Sequence, residues 1–133
     1  MPAGTSPIFP QAPIIGIASM VSNTAVTART NIVGTTGLTQ VLANSTNGTR
    51  VDFVEVQGQG TTVATIINLW VNDGTNSYMF DEISLPAATA NTTAFAASNT
   101  ISYTKLTLPP TYRLFTSQQI SANVTVFAFG GTY

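Results

Sequence analysis

From Ile14 onward Thr, Val, Ile, Phe and Tyr predominate, and no stretch holds apolar residues at helical spacing for three turns, so the pattern predicts strands throughout. The clearest alternation runs from Thr61 to Val71. It sets Val63, Thr65, Ile67, Leu69 and Val71 on a face predicted to be core, and Thr62, Ala64, Ile66, Asn68 and Trp70 on the other. Ile66 and Trp70 on that second face either lie under a neighbouring loop or form an interface patch. Arg50 to Gln57 slips in phase, because Val51 and Phe53 share one face while Val54 and Val56 share the other. The slip predicts a bulge or burial on both faces. The last strand, Ala122 to Phe129, sets Ala122, Val124, Val126 and Ala128 against Asn123, Thr125, Phe127 and Phe129.

Turn chemistry divides these runs. Asn44 to Gly48 reads as a turn, and Asn72-Asp73-Gly74-Thr75-Asn76 reads as a hairpin returning through Ser77 to Leu85. Ser22 to Gly37 is expected to hold a strand plus loops, and Leu38 to Ala43 to be extended. Pro86 to Asn99 has the composition of an exposed connection between two sheets. Ile101 to Leu108 is a further strand that stops at Pro109-Pro110, and the chain resumes through Thr111 to Phe115. About eight strands, with turn signals at intervals of about 8 to 15 residues and no helix for a parallel crossover, predict an all-β antiparallel sandwich or jelly roll over residues 14–133.

Residues 1–13 differ in kind. Pro2, Pro7, Pro10 and Pro13 surround Ile8-Phe9, and prolines at that spacing exclude helix and favour an extended arm. Pro7, Ile8, Phe9 and Pro10 are therefore interface candidates beside Ile66 and Trp70, with a loose leader of no function as the alternative.

Composition narrows the chemistry. Charged residues make up 7% of the chain, against about a quarter in ordinary soluble domains, and the formal net charge is -1. Four Lys and Arg residues cannot form a stripe that neutralises phosphates, so neither nucleic acid nor an anionic membrane is expected as a partner. No apolar stretch approaches the roughly 20 residues of a spanning helix, and Met1-Pro2-Ala3-Gly4 lacks the basic start of a secretory signal. Little repulsion between copies favours self-association.

With neither His nor Cys, the usual general base is missing, and Lys105 is left as the base of a Ser-Lys arrangement. The five carboxylates are Asp52, Glu55, Asp73, Asp81 and Glu82. Neighbours Asp81 and Glu82 diverge on a strand, as do Asp52 and Glu55 unless the bulge realigns them. Asn72 to Asn76 supplies one carboxylate and lacks the closing Glu of a calcium loop. We expect no enzyme, no cofactor and no metal site.

Several segments in order carry a resemblance: Asn47-Gly48-Thr49-Arg50-Val51, Leu69 to Asn76, Phe80-Asp81-Glu82-Ile83, and Leu106 to Leu114 with its Pro109-Pro110-Thr111-Tyr112 corner. Over about residues 44 to 133 this order resembles small structural proteins of tailed bacteriophages of the capsid decoration, or cement, type. Where that pattern has glycine before the tyrosine, this chain has Thr111. The resemblance implies a β-sandwich on the outside of the virion head, often a homotrimer, that braces the major capsid protein. It implies no catalytic residues. The alternative is a receptor- or carbohydrate-binding module of a phage tail or head fibre, stacking Tyr78, Tyr103, Tyr112 and Trp70 on sugars.

Overall fold

The computed structural model describes residues 12–21 and 25–133, and every regular element among them is a β-strand. The strands are β1 (Ala12–Met20), β2 (Ile32–Val33), β3 (Thr39–Leu42), β4 (Thr49–Gly58), β5 (Thr65–Asn72), β6 (Asn76–Leu85), β7 (Ser98–Leu108), β8 (Arg113–Gln118) and β9 (Val124–Thr132). They form a four-stranded sheet, β1-β9-β4-β7, and a five-stranded sheet, β2-β6-β5-β8-β3, with antiparallel pairing throughout. With the two-residue β2 set aside, the first strand pairs with the eighth, the second with the seventh, the third with the sixth and the fourth with the fifth. Such nested pairing, divided between two sheets, is the jelly-roll form of the β-sandwich.

The inner faces supply the core. Met20, Val54, Val56, Val124, Val126 and Ala128 come from the four-stranded sheet, and Leu42, Ile67, Leu69, Ile83, Leu85 and Leu114 from the five-stranded one. Each large apolar side chain buried this way contributes about 1.5–3 kcal/mol relative to exposure. The phase slip in the fourth strand is a bulge. Val51 and Phe53 oppose the consecutive residues Gly130 and Phe129 of β9, so Asp52 is the additional residue. The bulge lets Val51, Val54 and Val56 all point inward while Phe53 turns outward. A second irregularity makes Phe80 the additional residue of β6, because Leu69 and Trp70 oppose Asp81 and Met79.

The Asn72–Asn76 hairpin forms as its sequence predicts. Asn72 Oδ1 accepts from Gly74 N at 2.7 Å, Asp73 Oδ1 accepts from the amides of Asn76 (2.8 Å) and Thr75 (2.9 Å), and Gly74 takes φ of 101°. Residues 86–97, which hold no strand, link β6 in one sheet to β7 in the other, and Phe95 there is 95% exposed. Two expectations need correction. The alternating run beginning at Thr61 becomes regular strand only at Thr65, so Val63 is exposed instead of core. Ala12 and Pro13 pair with Thr132 and Gly131, so strand begins two residues before the expected start of the sandwich at Ile14. Pro13 is tolerated because β1 is an edge strand.

Candidate docking surfaces

The outer face of the five-stranded sheet is covered at its centre. Asn68, Trp70 and Asn72 of β5 lie there with Ser117 and Phe115 of β8, and all five are buried. The segment from residue 25 to residue 38 is fastened across this sheet at three places. Val26 N donates to Gln118 O at 2.9 Å, Arg29 Nε to Glu82 Oε1 at 2.6 Å, and Ser77 Oγ to Gly34 O at 2.6 Å. Trp70 has no exposed surface, and its indole Nε1 donates to Ser117 Oγ at 2.9 Å. Of the two environments open to Trp70 from sequence, the covered one holds, and its ring is withdrawn from any partner. The buried indole is satisfied by a hydroxyl one step along the neighbouring strand, as a buried Trp requires.

Ile66, the other candidate of that face, is half-buried. It borders a cavity of about 700 Å³ at the end of the sandwich, with Ala64, Leu85, Pro86, Asn99 and Ile120 among the other walls. Pro7, Ile8, Phe9 and Pro10 lie outside the described residues.

An apolar surface that strand alternation signalled only indirectly lies on the outer face of the four-stranded sheet. Cross-strand register brings Ile15 and Phe129 opposite each other, Ile17 opposite Phe127, and Phe53 opposite Phe129. Phe53 and Phe129 stack with ring centroids 4.5 Å apart, and Phe127 and Phe129 follow at 6.1 Å. Ile15 and Ile17 are 58% and 59% exposed, and the three rings are partly exposed. Polar residues rim this cluster: Ser19 and Thr125 at one end, Glu55 and Gln57 on β4, and the Arg50–Asp52 ion pair at 2.9 Å at the other. An apolar centre within a polar rim is the anatomy of a protein-docking surface.

Several ionisable groups are committed locally. Asp73 is held below the usual carboxylate range by the amides of Asn76 and Thr75, so the hairpin carboxylate serves its own turn. Tyr103 donates its hydroxyl to Asp81 Oδ2 at 2.7 Å. Burial, and then that hydrogen bond, push its phenol well above the ordinary tyrosine value and keep it neutral. Glu82 pairs with Arg29, Asp52 pairs with Arg50, and Lys105 is exposed on β7, an edge strand. Among the described residues no three His, Cys, Asp or Glu side chains gather as metal ligands would. Of the four rings suited to sugar stacking, Trp70 is buried, and Tyr103 and Tyr112 pack against the core.

Comparison with known proteins finds no match to a protein family, to a curated protein or to a solved structure. Architecture and surface therefore define the class: an antiparallel β-sandwich of jelly-roll topology with one apolar outer face.

Proposed function

We propose that this chain is a structural virion protein of the capsid decoration type, seated on the outside of a tailed-phage head and bracing its major capsid protein. The observation that carries the reading is the exposed cluster of Ile15, Ile17, Phe53, Phe127 and Phe129 on a rigid sheet. Jelly rolls recur among viral capsid and lectin domains, so topology permits the role without establishing it. Support comes as well from the ordered segments that resemble decoration proteins, and from a surface with few charges, four of which are tied in the Arg29–Glu82 and Arg50–Asp52 pairs.

Mechanically, the sheet face is suited to lie against the shell, because strands paired on both sides hold the rings in fixed register and little side-chain entropy is lost on contact. Several apolar anchors on one rigid sheet then resist the relative movement of neighbouring shell subunits. Heads assembled without this protein should disrupt at a lower temperature than complete heads, and added purified protein should restore the difference. Particle disruption followed by light scattering reads the shift; equal disruption temperatures with and without the protein would refute a bracing role.

A further inference from the structure

The cavity bordered by Ile66 lies at the opposite end of the sandwich from the start of the described chain. Ala12 pairs with Thr132, and Thr132 with Thr49, whereas the cavity wall includes Ser98, which pairs with Gln57 eight residues further along β4. Eight steps along a strand cover roughly 25 Å. Phe9 precedes Ala12 by three residues, which span at most about 11 Å when fully extended. The apolar pair Ile8-Phe9 thus cannot reach the cavity of its own chain. It can reach that of a neighbour standing end to end with it.

Chemically the two are matched. The cavity is walled by Ala64, Ile66, Leu85, Pro86 and Ile120, and Ile120 is 53% exposed. Its volume of about 700 Å³ lies in the range of about 300–1,000 Å³ that suits small ligands or a few inserted side chains. Pro7 and Pro10 flank the apolar pair and lack backbone N–H groups, so the segment favours insertion of side chains over strand addition. Its carbonyls remain acceptors, and Gln119, another wall residue, has a buried Nε2 without a partner.

We propose that Ile8 and Phe9 of one copy occupy the cavity at Ile66 and Ile120 of a second copy, so that the arms link the copies into a homo-oligomer. This deepens the decoration reading by naming the self-contact, and it is tested on purified protein without particles, so that failure of shell attachment and failure of arm insertion are separate results. Because the chain has no cysteine, one copy carrying Phe9→Cys and another carrying Ile120→Cys can be mixed and oxidised. A disulfide between the two differently substituted copies is expected. Light scattering should show a discrete oligomer, a trimer by the decoration reading, and Phe9→Asp or Ile120→Asp should each weaken self-association at least ~30-fold. Three results would overturn the inference: no mixed disulfide, a disulfide within a single doubly substituted chain in place of the mixed one, or an oligomer unchanged by Phe9→Asp.

Discussion

Replacing Ile15 and Ile17 together by aspartate is expected to abolish attachment to the capsid while leaving the fold intact. Both side chains are more than half exposed on β1, so the substitution removes little core packing and costs about 0.5 kcal/mol each, as ordinary surface changes do. On docking, however, two carboxylates would be carried against the shell beside Phe127 and Phe129. An unpaired charge taken out of water costs several kcal/mol, so affinity should fall by at least ~100-fold. Val33→Asp is the matched control: it is 83% exposed, but lies on β2 of the other sheet. Sedimentation of particles with bound protein measures both. Equal loss for the control, or none for the pair, would remove the four-stranded face from the account.

The largest effect on folding is expected at Gly130. A Cβ there would collide with Arg50 O and sit 2.8 Å from its carbonyl carbon, both of them backbone atoms of the paired strand β4. Strand β9 is held between β1 and β4, so neither neighbour can withdraw without breaking its own ladder. Gly130→Ala should therefore cost about 4 kcal/mol or more, a large part of the ~5–15 kcal/mol that stabilises a typical domain. Gly74→Ala separates this collision from backbone strain. Gly74 has φ of 101° but open space around it, and its substitution should cost only about 1 kcal/mol. Urea unfolding followed by the fluorescence of Trp70, the chain's single tryptophan, reads both; similar midpoints for the two variants would contradict the steric argument.

Much of this architecture is legible in the chain because local chemistry and tertiary structure agree. Asn72 to Asn76 contains its own hairpin, and the phase slip of Arg50 to Gln57 announces a bulge, which the register places at Asp52, between Val51 and Phe53. Alternation also separates Phe127 and Phe129 from Val124, Val126 and Ala128. Periodicity identifies residues that share a face, yet whether that face is covered depends on segments remote in sequence. Alternation leaves Trp70 either under a loop or in an interface patch, and residues 25–38, fastened across its sheet, decide for the covered position. The aromatic cluster is hidden for the converse reason. Phe53, Phe127 and Ile17 are distant in sequence and become neighbours only through the β1-β9-β4 order. Val63 fails as a core residue because strand pairing begins two positions later, at Thr65.

In the proposed decoration role, the outer face of the four-stranded sheet meets the shell. Cryo-electron microscopy of the parent particle, with the sandwich fitted into the decoration density, measures this directly. The predicted result places the rings of Phe53, Phe127 and Phe129 against major capsid subunits and the sheet containing Trp70 away from them. Density in which that aromatic face looks into solvent, or in which the sandwich itself forms the continuous shell, would contradict it.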